Sequence, residues 1–298
     1  MAKIIGRSPV ALFFLAVLTF PQSAFALSNQ DLFRQAGSYE THGQILKAKQ
    51  TYSQILKERQ SKPGDTFVWR SQVRMARLSV AQGDIRAADS VYDAAMKLTP
   101  EQIRKDPELM IDMDDLAETY VAQARGNREG KPLLLRALEL RKKIDPNHPN
   151  VNESYRQLAA HSIRYNELPD AERYIKVAIE RQKDAESSSA VGRLTSDRIM
   201  LLGICDSQKR WAESEQLTKE ILLQTSKYPG LHWCWPSMHC ALAKCYSRRG
   251  QYDLSDAEYH KAIAVAKQFP GATSEFYTAC QRAMKVNSEL KRKVKKRG

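Results

Sequence analysis

Small and large apolar residues recur along most of the chain at intervals of three, four and seven, which gathers them on one side of a helix. A longer rhythm lies over this short one. A glycine or turn-like residue is followed at fixed offsets by an apolar, a small, an aromatic or branched residue and then an apolar pair. The first copy reads Gly43, Ile45, Ala48, Tyr52 and Ile55-Leu56, and the second Gly83, Ile85, Ala88, Tyr92 and Ala95-Met96. Later copies read Asn166, Leu168, Ala171, Ile175 and Ala178-Ile179, then Lys209, Trp211, Ser214, Thr218 and Ile221-Leu222, then Gly250, Tyr252, Ser255, Tyr259 and Ala262-Ile263. A further copy, third in order, surrounds Leu116-Ala117, Tyr120 and Ala137-Leu138; it fits only with a one-residue insertion and a turn near position 124.

Upstream of each turn the spacing predicts a first helix, marked by Leu32, Ala36 and Tyr39, by Met75-Ala76, by Leu158-Ala159, by Leu201, Leu202 and Cys205, and by Leu242, Ala243 and Tyr246. Breakers separate most units: Pro63-Gly64, Pro100, Pro146 with Pro149, Pro229-Gly230 and Pro270-Gly271. Phe276, Cys280, Ala283, Met284, Leu290 and Val294 keep helical spacing after the last unit, which predicts a helix capping the open end of the stack. The expected fold is all-α, with about six antiparallel helix pairs and a C-terminal capping helix.

This pattern resembles the tetratricopeptide repeat family over nearly the whole chain beyond residue 26. The stretch from Ala137 to Ala185 resembles the kinesin-light-chain variety, whose helices are longer than those of the 34-residue form. The resemblance implies a right-handed superhelical solenoid with a concave face built from the first helices. It also implies a protein or peptide partner docked there through outward first-helix positions. Carried over one at a time, those positions are Arg70, Arg77, Arg156, Arg164, Lys244 and Arg248, with Asp114 and Glu118 breaking the basic run. A face of that sign suits an acidic peptide, although solvated surface charges have the same appearance. The Asn positions that the family's chaperone-tail clamps use carry other residues here, which disfavours a chaperone-cofactor role.

Composition adds the question of compartment. Gly and Pro total 25 of 298 residues, too few for a loop-rich β chain, and 42% hydrophobic with 27% charged residues excludes wholesale disorder. Lys3 and Arg7 precede an apolar run from Val10 to Phe20, then Pro21 and Ala24-Phe25-Ala26. This is the layout of a secretory signal peptide spanning 1–26 and cleaved after Ala26; the run is well short of the ~20 residues that span a bilayer. The expected chain is therefore exported, periplasmic or secreted, with a repeat domain over 27–275 and a cap plus basic tail over 276–298. Of the formal +13 charge, two units belong to the export segment and six to residues 285–298. That end suits an anionic membrane or cell-wall surface, or serves only solubility; nucleic acid is disfavoured, because no base-reading module is present.

Chemistry-bearing residues are sparse. All five cysteines fall in the C-terminal third. Cys205 to Cys245 and Cys240 to Cys280 are both 40 residues apart, one repeat length, so each pair is a candidate disulfide in an exported protein. The alternative is small buried apolar residues, with helix axes too far apart to be bridged. His232, Cys234, His239 and Cys240 match none of the common zinc spacings. No Ser-His-Asp order, nucleophile elbow, phosphate loop or zinc-binding His-Glu helix occurs. A non-enzymatic scaffold without metal or cofactor is expected, the alternative being an envelope-anchoring protein that works through its basic tail.

Overall fold

The computed structural model describes residues 28–59, 66–268 and 273–295. The expected signal peptide over 1–26, the Pro63-Gly64 and Pro270-Gly271 breakers and the last three residues lie outside that range. The described chain is helical, without a strand. It runs as α1 (Asn29–Thr41), α2 (Ile45–Arg59), α3 (Thr66–Ala81), α4 (Arg86–Lys97), a short α5 (Pro100–Arg104), α6 (Pro107–Ala124) and α7 (Lys131–Ile144). It continues as α8 (Pro149–Arg164), α9 (Leu168–Glu180), α10 (Ser188–Ser207), α11 (Trp211–Thr225), α12 (Trp235–Arg248), α13 (Tyr252–Ala266) and α14 (Ser274–Lys295). With α5 set aside, α1 to α13 form six antiparallel pairs and α14 is the expected cap.

One turn geometry makes five of the six pairs. The turn residue adopts positive φ at Gly43 (70°), Gly83 (84°), Asn166 (62°), Lys209 (60°) and Gly250 (76°). Directly after it, a backbone N–H reaches back to the carbonyl five residues earlier, as from Gln44 to Tyr39 at 2.8 Å and from Glu167 to Ser162 at 2.7 Å. This left-handed closure satisfies carbonyls that the helix end leaves unpaired. The third pair departs from it. Its positive-φ residue is Gly126 (73°), two positions beyond the turn expected from sequence, and a 3-10 turn over Arg128–Gly130 follows before α7 begins. Gly130 makes the close helix approach there: an added Cβ would stand 2.6 Å from the Ala124 carbonyl oxygen.

Small residues set the spacing within pairs. Ala36, Ala48, Ala88, Ala117, Ala137, Ala159 and Ala171 are completely buried, so facing backbones come close and the larger neighbours fill the remaining space. Between units, the second helix of one pair usually packs on the first helix of the next, as α2 on α3, α7 on α8, α9 on α10 and α11 on α12. The second-to-third junction differs, because α3 lies directly against α6. The inserted α5 accounts for the change. It starts with a capping box between Thr99 and Gln102, has Pro100 in its first turn, and drives the fully buried Ile103 towards α6 and α7.

The cap is held by a polar anchor. Asn287, 1% exposed, donates to Ser255 Oγ at 2.9 Å and Asp256 Oδ1 at 2.8 Å, and accepts from Ser247 Oγ at 2.7 Å. A buried amide satisfied on both ends fixes register where apolar contact alone permits sliding.

Candidate partner-binding face

The expected basic residues lie on the first helices α3, α8 and α12, and the acids near each decide what it can do. Arg70 donates to Asp112 at 2.9 Å and Glu108 at 2.9 Å, with its guanidinium 4.3 Å from the centre of the Phe33 ring. Arg74, which the spacing did not single out, donates to the other Asp112 oxygen at 2.6 Å and lies 3.6 Å from Glu40. Arg77 pairs with Glu40 and lies 3.7 Å from Asp115. Asp112 is 1% exposed; burial raises its carboxyl above the ordinary range, against the opposing pull of Arg74 and Arg70. These charges join α1, α3 and α6.

Arg156 is engaged in the same way. It donates to the fully buried Asp197 of α10 at 2.6 Å and to Glu153 at 2.6 Å, while Gln182 donates to the second Asp197 oxygen at 2.7 Å. Asp114 and Glu118, the acids that interrupt the basic run, hold the buried Arg141 at 2.9 and 2.8 Å. Arg141 also donates to Ser154 at 2.9 Å. Arg248 is exposed, with its guanidinium 5.7 Å from the Trp211 ring centre. Among the described residues, Arg164 and Lys244 are exposed and have no acidic partner. A search for opposite charges about one repeat apart would have separated the two groups, since Arg70 and Asp112 are 42 residues apart and Arg156 and Asp197 are 41 apart.

Arg164 borders an opening between α6 and α8. The pocket there has a volume of about 280 Å³, with Val121, Ala124, Leu134 and Ala160 as its apolar lining and Gln157, His161, Arg125 and Arg164 as its polar residues. His161 Nε2 lies 3.1 Å from the Asn127 carbonyl oxygen, which ties α8 to the irregular third turn. Gln157 Oε1 and His161 Nδ1 are buried without a partner in the chain. That volume suits one or two side chains rather than a large cofactor. The N-terminal half of α8 faces a second, more polar hollow of about 560 Å³ that includes Asn150, Arg156, Arg181 and Arg193.

The starts of the second helices carry another set of ion pairs. Lys131 holds Glu167 and Asp170, Arg210 holds Glu172 and Glu213, and Arg249 holds Glu215. Here the carboxylates are pulled down: the hydrogen bond from Arg210 takes Glu172 to about 2, and Lys131 lowers Asp170.

The histidine and cysteine region shows packing. His232 stacks on Trp235 with ring centres 3.9 Å apart, and His239 lies 2.7 Å from Glu258. No group of three metal-ligating side chains occurs among the described residues. Cys205 and Cys245 are both buried free thiols, with no hydrogen bond between them. A helical rotation accounts for this. The turns at Lys209 and Gly250 are 41 residues apart, so a 40-residue offset rotates Cys245 by about 100° from the position matching Cys205. Cys240 and Cys280 do meet, sulfur to sulfur at 3.6 Å.

No family model matches the sequence, and no curated protein matches it significantly. Solved structures do share the fold. The apo form of RapI aligns over 89% of this chain and 72% of that chain with a TM-score of 0.53 at 9% identity. BtubC (BKLC) from P. vanneervenii aligns over 76% of this chain and 91% of that chain, with a TM-score of 0.45 at 17% identity. A putative kinesin light chain of nearly identical TPR-like repeats from Podosopora anserina covers 80% of this chain and 94% of that chain, with a TM-score of 0.39 at 15% identity. At such identities the likeness to RapI concerns fold alone.

Proposed function

We propose that this all-α solenoid of tetratricopeptide-type helix pairs is an exported, non-catalytic scaffold that holds a peptide segment of a partner protein against its first helices. The observation that carries the reading is the pocket between α6 and α8. Its lining is mainly apolar and, among the described residues, contains no acidic side chain. An extended peptide brings an apolar side chain for the Val121, Ala124 and Leu134 surface. Arg164 at the rim favours an acidic neighbour in that peptide. Regular stacking keeps the receptor ordered beforehand, so binding loses little entropy on its side. Export rests on the residue pattern of 1–26.

Photo-crosslinking tests this directly. A photoreactive residue at Ala160, exposed beside the pocket, should trap a partner polypeptide in the native extract. One at Leu223, 73% exposed on α11, should not. Equal capture from both positions would reject the assignment.

A surface of α14 favours a second reading, attachment to an anionic envelope. Arg282, Lys285, Arg292 and Lys293 are exposed around Val286 and Val294, which are 52% and 61% exposed. Each basic residue close to an anionic membrane contributes ~1 kcal/mol. Lys291 is not part of this surface, because it bonds Asp253 and Asp256 at 2.7 and 2.8 Å. Removing 285–298 would delete the Asn287 anchor, so reversal of Arg282, Lys285 and Lys293 to Glu is the cleaner test. Sedimentation with anionic vesicles should fall in that variant; unchanged sedimentation would reject the reading.

A further inference from the structure

Cys240 on α12 and Cys280 on α14 face each other across the last junction. Their sulfurs lie 3.6 Å apart; Cys280 is 2% exposed and Cys240 is half-buried. Seven residues further along both helices, Ser247 donates to Asn287 at 2.7 Å. The 40-residue offset is therefore kept over nearly two turns, and the two helices run side by side in one register. Asn287 is in turn held by Ser255 and Asp256 of α13. The thiols are thus brought together by a fixed packing arrangement, with Tyr259, Ile263, Phe276 and Met284 clustered around them.

We infer that Cys240 and Cys280 form a disulfide-linking site, a covalent modification that staples the capping helix to the sixth unit. Bond formation requires the sulfurs to close from 3.6 Å to about 2.05 Å and the two Cα atoms to stand within about 7 Å of each other. The oxidant is a low-molecular-weight disulfide such as oxidised glutathione. The more accessible Cys240 loses its proton and attacks one sulfur of that disulfide, displacing a thiolate and leaving a mixed disulfide on Cys240. Cys280 then loses its proton and attacks the Cys240 sulfur, displacing the second thiolate. The two thiolates take up the two protons. One disulfide is reduced to two thiols, and two protein thiols are oxidised to one disulfide.

Burial and the adjacent Cys280 push the Cys240 thiol up to about 12, so thiolate is scarce at neutral pH. Linking should accelerate about tenfold per pH unit between 7 and 9, as the thiolate fraction rises. The experiment treats the full reduced chain with oxidised glutathione, then denatures it and alkylates the remaining thiols. Three of the five cysteines should still react, peptide mapping should join Cys240 to Cys280, and the melting midpoint should rise by several degrees. Cys240→Ser, at the half-buried position, should fold with unchanged circular dichroism and show neither the link nor the shift. Five reactive thiols after oxidation, a persistent glutathione adduct on Cys240, or a link between other cysteines would overturn the inference.

Discussion

Arg156 and Arg164 stand on the same helix, eight residues apart, and on sequence spacing they are equivalent candidates for contact with a partner. Arg156 faces the fully buried Asp197 and closes the junction between α8 and α10, whereas Arg164 stands at the rim of an apolar opening without an acidic neighbour. The same contrast divides the whole first-helix side. From α1 to α6 the arginines are bound to Glu40, Asp112 and Glu108, and they hold repeats together. Between α6 and α8 the stack leaves room. A row of basic residues therefore identifies a binding face only after the acids of adjacent repeats have been subtracted.

The largest effect is expected at Arg156. Arg156→Glu sets a second carboxylate against buried Asp197 and should cost ~3–5 kcal/mol, read as a lower denaturant midpoint; loss of partner binding in that variant would report unfolding. Asp112→Ala should cost roughly 2–3 kcal/mol, less than a fully buried pair, because Arg70 retains Glu108 and Arg74 retains Glu40. Gly130→Ala presses a methyl group on the Ala124 backbone beside the pocket and should cost about 1–2 kcal/mol, with altered proteolysis at the 126–130 turn as its local sign.

Acid should separate the two kinds of ion pair. Glu172 is held at about 2 against an ordinary 4.5. Its clip to Arg210 is fully present above pH ~4.5 and is lost as pH falls towards 2. Asp112 has the opposite sign: its carboxyl is raised above the ordinary 3.8, so protonation relieves part of its burial penalty as pH falls towards 3.8, ahead of the loss of the Glu172 clip. Hydrogen exchange in α9 and α11 should therefore quicken on acidification before exchange in α3 and α6. Glu172→Gln should weaken that pH dependence, leaving the share carried by Asp170, Glu213 and Glu215.

The pair architecture was legible because the turn chemistry repeats. Gly43, Gly83, Asn166, Lys209 and Gly250 all make one closure, and each is followed by a small residue five positions later. The third turn was misplaced for a physical reason. Asn127, directly after Gly126, bonds the Ala124 carbonyl three residues earlier rather than one five residues earlier, the 3-10 turn delays α7, and Gly130 replaces the usual Ala or Ser as the point of close approach. The cap and the Cys240 to Cys280 proximity were also readable, since one register governs α12 and α14. The pocket was not. It depends on which arginines find acids about 40 residues away and on the altered packing that α5 imposes, neither of which appears in the local pattern around Arg164.

The decisive measurement is the affinity of Arg164→Glu for the partner trapped at Ala160. Its stability should match the parent within about 0.5 kcal/mol, because an exposed, unpaired side chain is changed. Affinity should fall at least about tenfold, the equivalent of ~1.4 kcal/mol. Binding equal to the parent, with the fold intact, would contradict the assignment of the α6–α8 pocket as the working surface.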